Sequence, residues 1–117
     1  MAATLATDAM VNNVLAYIGT LPDNPAPATI SGDTAHGAKL YVVCANCHGK
    51  DGQGIPLNAP RQAGMSDWYL LGQLKNFKNG VRGEHPHDLK GKQMGYMARM
   101  LQDEQAMKDI VAYINTL

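Results

Sequence analysis

The sequence predicts an all-α domain, and three observations carry that reading. No stretch of any length alternates apolar and polar residues with period two. Several segments instead repeat apolar residues at helical spacing. Two of those segments, 5–21 and 101–117, echo one another. Aligned without gaps they share six identical residues, including Ala-Tyr-Ile-x-Thr-Leu. An internal repeat of this kind bears on architecture before any other motif does.

Taken in order, residues 5–21 read as an amphipathic helix, with Val14 and Leu15 matching Ile110 and Val111 in the later copy. If 101–117 is the last helix of its domain, then 1–21 is the tail of a preceding domain of the same kind, and the chain is one piece of a tandem array. The competing reading is that two amphipathic helices share a composition by chance. Residues 22–32 (Pro-Asp-Asn-Pro-Ala-Pro-Ala-Thr-Ile-Ser-Gly) are a linker, because each proline resists both helix and strand. The domain proper then covers 33–117. Asp33 or Ser31 can cap a helix over about 34–46, whose apolar side carries Leu40, Tyr41, Val43 and Cys44. Glycines and prolines make 49–65 a loop. Ser66 caps a helix from Asp67 to about Asn79, ended by Gly80, with Leu70, Leu74 and Phe77 on one face. Residues 81–93 read as a polar loop containing His85-Pro86-His87. A short turn with Met94, Met97 and Met100 leads into the final helix. The count is three main helices plus an extra one at the N-terminus.

Composition bounds the function. A chain of 117 residues suits one domain with a modest core. The formal net charge is zero, which argues against a nucleic-acid binder. There is no run of 18 apolar residues, so no membrane span is expected. The N-terminus lacks the basic and apolar regions of a signal peptide. Seven methionines against one phenylalanine is an unusual ratio, and thioether sulfur is a soft metal ligand.

The chemistry centres on Cys44-Ala45-Asn46-Cys47-His48, the Cys-x-x-Cys-His signature of c-type haem attachment. Two thiols one helical turn apart can each add to a vinyl group on one porphyrin edge, and the adjacent His48 is then delivered to the iron. A disulfide between the two cysteines would close a tiny loop and constrain little. A zinc site needs four ligands, and the chain holds no second cysteine pair. His85 and His87 could complete one only in an uncommon arrangement. A thioredoxin-like redox pair expects a βαβ context that is missing here.

With those residues in view, 33–117 resembles a bacterial class I cytochrome c. The resemblance runs through Gly37-Ala-Lys-Leu-Tyr41-Val-Val-Cys44-Ala-Asn-Cys47-His48-Gly49, Asp51-Gly52-x-Gly54, Asn58-Ala-Pro60-Arg-x-x-Gly64, and Trp68-Tyr69-Leu70-x-x-Gln73-Leu74-x-x-Phe77-x-x-Gly80-x-Arg82. It continues into Met-x-x-Met ahead of the last helix. The Tyr-Leu-x-x-Gln-Leu-x-x-Phe-x-x-Gly stretch is similar to the dihaem periplasmic cytochromes of proteobacteria. It is also similar to the cytochrome domains at the C-terminus of some haem–copper oxidase subunits II.

The resemblance implies the class I cytochrome c fold: about three main helices around one covalently attached haem c. The implied job is electron transfer with no bond chemistry, so the domain is not itself an enzyme. It also implies a methionine sixth ligand. In similar domains this ligand lies about two helical turns before a cap like Leu101-Gln102-Asp103-Glu104, which selects Met94. Met97 is the runner-up, and Met100 is a core or exposed residue. His85 or His87 as sixth ligand would make a bis-histidine haem, although loop histidines beside proline are usually solvated. Pro60 resembles the proline whose carbonyl accepts the Nδ1–H of the proximal histidine. Gly37 and Tyr41 resemble the points where the first helix crosses the last, against Tyr113 and Ile110. Trp68, Tyr69 and Arg82 are expected at the porphyrin or its propionates. Two departures stand out: Gln62 where relatives usually carry leucine, and Met65 where many carry glutamine.

Partners implied in this way are redox proteins, either an upstream cytochrome or an oxidase copper centre, on the periplasmic side, with a parent protein that is membrane-anchored or free. The rival classes are a haem-based sensor or peroxidase-like domain, which would leave the sixth position weak or open, and a docking module of a redox enzyme such as a carbohydrate oxidase system.

Overall fold

The structure is a computed structural model and describes residues 4–55 and 59–117. Asn58 of the Asn58-Ala-Pro60 motif lies outside the described residues. The elements are α1 (Asp8–Ile18), α2 (Thr34–His48), α3 (Asp67–Lys78), α4 (Leu89–Arg99) and α5 (Glu104–Ile114). Among the described residues the only β-type pairing is an isolated bridge between Ile55 and Ala59. The all-α expectation holds, with one helix more than the sequence suggested.

The core is built by α2 crossing α5, and by α3 packing against both α4 and α5. Asp33, rather than Ser31, caps α2: its Oδ1 accepts from the backbone N–H of Ala35 at 2.9 Å and of His36 at 3.0 Å. The helix runs two residues past the expected end and so contains the whole Cys-x-x-Cys-His motif. Its crossing point is Gly37. A Cβ there would run into the backbone carbonyl of Asp109 and lie 2.9 Å from Cβ of Tyr113, so only glycine permits this approach. One turn on, the rings of Tyr41 and Tyr113 pack with centroids 5.4 Å apart. The hydroxyl of Tyr41 donates to the carbonyl of Gly49 at 2.9 Å. From α5, Ala106, Met107, Ile110, Val111 and Ile114 enter the core. Asp103 starts that helix by accepting from Ala106 N–H at 2.8 Å.

The start of α3 corrects one expectation. Ser66 makes no side-chain capping bond. The side chain that matters is its neighbour Asp67, 1% exposed, which takes the N–H of Trp68 at 2.7 Å. Its carboxylate also accepts the backbone N–H of Thr29, the Thr29 hydroxyl at 2.7 Å and the N–H of Ile30 at 2.6 Å. The proline-rich segment is therefore laid along the domain. Further along it, Asp23 pairs with Arg61 at 2.9 Å, the N–H of Ala26 donates to the carbonyl of Gly64 at 3.1 Å, and Asp33 N–H donates to Asp109 at 2.9 Å.

The second correction is α4. The methionine segment, expected as a short turn, is an 11-residue helix. Its glycines, Gly91 and Gly95, lower helix propensity, which hid it from a propensity reading. Tertiary packing reverses the balance. Gly91, Gly95 and Ala98 are the buried face. A Cβ at Gly91 would overlap the Asp88 carboxylate and lie 2.8 Å from Cα of Gly83. Asp88 caps the helix by accepting from Gly91 N–H at 2.7 Å.

Helix α1 differs from the rest because it buries none of its residues. Met10, Val14, Leu15, Tyr17 and Ile18 are exposed. It nevertheless copies α5 hydrogen bond for hydrogen bond. Thr7 caps as Asp103 does. Thr20 Oγ1 donates to the Tyr17 carbonyl at 2.7 Å, as Thr116 Oγ1 does to that of Tyr113 at 2.7 Å.

Candidate cofactor site

A cavity of about 380 Å³ opens between α2, α3, α4 and the loop before α3. Helix α2 delivers Cys44, Cys47 and His48 to its lining. Both thiols are free. Burial, together with the neighbouring Cys47, pushes the Cys44 thiol up to about 11. The Cys44 thiol is therefore neutral at physiological pH.

His48 is buried, and its Nδ1 lies 2.9 Å from the carbonyl oxygen of Pro60. A carbonyl can only accept, so Nδ1 carries the proton and the lone pair is on Nε2, the nitrogen suited to a metal. The described parts of the loop that holds Pro60 are tied back by backbone hydrogen bonds. Gly54 N–H donates to the His48 carbonyl at 2.7 Å, and Gln62 N–H to the Gly52 carbonyl at 2.7 Å.

Met94 and Met97 come from α4, three positions apart and so on one side of the helix, and both line the cavity. Met100, 62% exposed, does not. The apolar walls are Leu70, Leu74 and Phe77 from α3 and Ile110 and Ile114 from α5. Arg61, Arg82 and Lys90 also line it. Arg82 is held by Gln73, its Nη1 donating to Oε1 at 2.8 Å, and lies 4.7 Å over the Phe77 ring.

Of the three side chains expected near the porphyrin, Tyr69 and Arg82 line the cavity and Trp68 does not. The Trp68 ring is 68% exposed and meets Tyr69 edge-on at 6.2 Å. Consecutive helical residues diverge by about 100°, and here Trp68 lies on the outer side while Tyr69 and Leu70 line the cavity. His85 and His87 are exposed, 5.6 Å apart ring to ring, and away from the cavity. The sequence reading missed Ile110 and Ile114 as lining residues. The periodicity marks them as core, but nothing local says which part of the core is hollow. Gln62 and Met65, the two departures, both line the cavity.

These residues fit a haem. They supply a soft sulfur and an imidazole in the lining of one cavity, thiols on the same helix as that imidazole, apolar walls, and cations suited to carboxylates. Among the described residues no cluster of histidine, cysteine and carboxylate side chains could hold a bare metal ion instead.

The family model for cytochrome c matches residues 34–117. The chain belongs to the cytochrome c family. This cytochrome is 34% identical to cytochrome c4 of Azotobacter vinelandii over 91 residues, 76% of this chain and 43% of that protein. It is 36% identical to cytochrome c-554(548) of Halomonas halodenitrificans over 86 residues, 74% of this chain and 98% of that one. The solved structure of cytochrome c4 from Acidithiobacillus ferrooxidans matches it with a TM-score of 0.72 at 27% identity, over 96% of this chain and 66% of that one. The chain thus spans less than half the length of the Azotobacter cytochrome c4. Membership makes the domain a bacterial class I cytochrome c, which carries electrons on a covalently bound c-type haem.

Proposed function

We propose that residues 33–117 carry electrons on one haem, bonded to Cys44 and Cys47 and ligated by His48 Nε2 and Met94 Sδ. The observation that carries this reading is the His48–Pro60 hydrogen bond of 2.9 Å, which leaves Nε2 free in a cavity shared with Met94. When bound, haem supplies an iron that takes up and returns one electron.

The chain's own residues do the rest. The Pro60 carbonyl fixes the orientation and tautomer of His48 and raises its basicity. Leu70, Leu74, Phe77, Ile110 and Ile114 keep water from the site, and burial with a methionine ligand favours the reduced form. Arg82, steadied by Gln73, and Arg61 suit the two propionates. Met97 is the reserve ligand. A sensor or peroxidase-like domain would need an open sixth position, and two thioethers on the cavity wall oppose that reading.

The test is the weak near-red absorption band of iron–methionine ligation in the oxidised holoprotein. It should be present, disappear in Met94→Ala and survive in Met97→Ala. Persistence in Met94→Ala would reject the assignment of Met94.

The reading extends to the parent protein. Helix α1 repeats α5 in residues, caps and C-terminal bonds while burying nothing. It is therefore read as the last helix of a preceding domain of the same kind, joined by residues 22–32. The near-complete match to cytochrome c-554(548) supports 33–117 as a full haem unit. The match to less than half of cytochrome c4 supports a longer parent. These relatives favour a free multihaem carrier over an oxidase subunit II. Its partners would be redox proteins, and it would work in the periplasm, where covalent haem attachment takes place. No helix among the described residues is long and apolar enough to cross a membrane. A parent reading frame with no upstream Cys-x-x-Cys-His would refute the tandem.

A further inference from the structure

Two distant segments take hold of the same short run of chain, 60–67. The first is the turn that follows His48. The Pro60 carbonyl accepts from His48 Nδ1 at 2.9 Å, and the N–H groups of Gln62 and Ala63 donate to the Gly52 carbonyl at 2.7 and 3.0 Å. The second is the proline-rich segment. Asp23 pairs with Arg61 Nη1 at 2.9 Å, Ala26 N–H donates to the Gly64 carbonyl at 3.1 Å, and Asp67 accepts the Thr29 hydroxyl at 2.7 Å and the Ile30 N–H at 2.6 Å.

The anchors alternate. Pro60, Gln62 and Ala63 serve the histidine turn, while Arg61, Gly64 and Asp67 serve the proline-rich segment. Arg61 is tied back as well, its Nε donating to the Ala63 carbonyl at 2.8 Å. Its ion pair with Asp23 is open to water, the two side chains being 43% and 71% exposed, so it adds little stability. What it does fix is the residue that follows Pro60. Pro22, Pro25 and Pro27 stiffen the segment that makes these contacts.

We propose that residues 23–30 are a positioning strap for the proximal ligand: by clamping the 60–67 run through Asp23 and Ala26, they hold the Pro60 carbonyl against His48 Nδ1 and keep the reduction potential down. The inference rests on the reading of the cavity as the haem site. Its basis is one of sign. A carbonyl that accepts from Nδ1–H makes the imidazole more basic. A more basic ligand favours the ferric state, which holds one more positive charge than the ferrous. Loosening the strap lengthens that bond on average, so the potential rises. Because the strap is also the connection to the preceding helix α1, movement of that helix would reach the haem ligand through it.

The experiment uses the holoprotein and two variants. Asp23→Asn breaks the ion pair. Ala26→Pro removes the N–H that Gly64 accepts without changing any charge. Residue 26 precedes Pro27 and is thereby biased to extended backbone, which proline also adopts. Spectroelectrochemical titration reads the potential, and NMR reads solvent exchange of the His48 Nδ1 proton. In each variant the ferrous-to-ferric ratio at a fixed potential should rise at least about twofold, roughly 18 mV at 59 mV per tenfold for one electron. The Nδ1 proton should exchange at least about threefold faster, since its bond opens more often. The proposal stands only if both readings move in every variant that folds, and thermal unfolding shows which do. A shifted potential with unchanged exchange overturns it, because loss of a charge alone does that. Faster exchange or a lower melting temperature with an unshifted potential also overturns it, as the mark of a merely structural strap. Should Ala26→Pro fail to fold, Asp23→Asn decides by the same two readings. A wild-type protein that bound no haem would instead count against the site itself, so the two failures are distinguishable.

Discussion

Gly37 and Asp109 meet backbone to backbone: a side chain on Gly37 would occupy the space of the Asp109 carbonyl. This contact sets how closely α2 can approach α5, and α2 carries both thiols and the imidazole of the site. The apposition therefore links a single glycine, about three turns from the haem motif's end, to the position of that motif on the cavity wall.

Replacing Gly37 by alanine should destabilise the fold by about 1–3 kcal/mol, the usual cost of overpacking. The clash is with backbone and with Cβ of Tyr113, which cannot rotate aside. Gly72 is the internal control. A Cβ there meets nothing within 4 Å, so Gly72→Ala in α3 should stabilise by about 0.5–1 kcal/mol through helix propensity. Denaturant unfolding of both variants checks the contrast, and equal effects at the two sites would sink it.

Asp67 should make stability depend on pH in the acid range. Burial opposes its ionisation, but the bonds from Thr29, Ile30 and Trp68 outweigh burial and hold the carboxyl at about 2, against 3.8 ordinarily. A depressed carboxylate contributes stability that is complete above its ordinary value and is lost as pH falls toward the folded value. Asp67→Asn should therefore cost roughly 1.5–3 kcal/mol near neutrality, where charge-assisted bonds are lost. That gap should close between pH 4 and pH 2. Asp109, also held low by His36, Asp33 and Gln105, titrates in the wild type and the variant alike, so the difference between them isolates Asp67. Melting curves at several pH values measure it, and a gap constant down to pH 2 would contradict the account.

The two copies of the repeated helix should respond oppositely to the same kind of change. Ile110→Ala removes a side chain 2% exposed and should cost about 2–5 kcal/mol. Val14→Ala, at the matching position of α1, should change stability by less than about 0.5 kcal/mol, because Val14 is 41% exposed on a helix that buries none of its residues. Comparable losses at both positions would mean that α1 is packed against the domain after all.

Local signals explain how much was legible. The caps at Asp33 and Asp103, the i, i+4, i+7 face of Leu70, Leu74 and Phe77, and the positive-φ Gly80 after α3 all act within a few residues of chain. Helices set by such signals can be read along a line. Cys44, Cys47 and His48 were legible for the same reason, since one turn of helix brings them together. Two local readings did mislead. Ser66 has the right chemistry for a cap, but long-range bonds gave the start of α3 to Asp67. Gly91 and Gly95 spoke against a helix that packing on Gly83 and Phe77 supports.

The sequence by itself determined the all-α class, the covalent haem motif with its histidine, and the two methionines three residues apart. Each of these depends on spacing that one helix or one motif contains. Only the tertiary structure decided that those methionines stand on a helix facing the cavity, that the proline-rich segment is laid along the domain through Asp23, Thr29 and Ile30, and that among the described residues no group donates to the buried Gln62 oxygen. These depend on which distant segments are pressed together. Burial and unmet hydrogen bonds are properties of that assembly, and no window of sequence holds them.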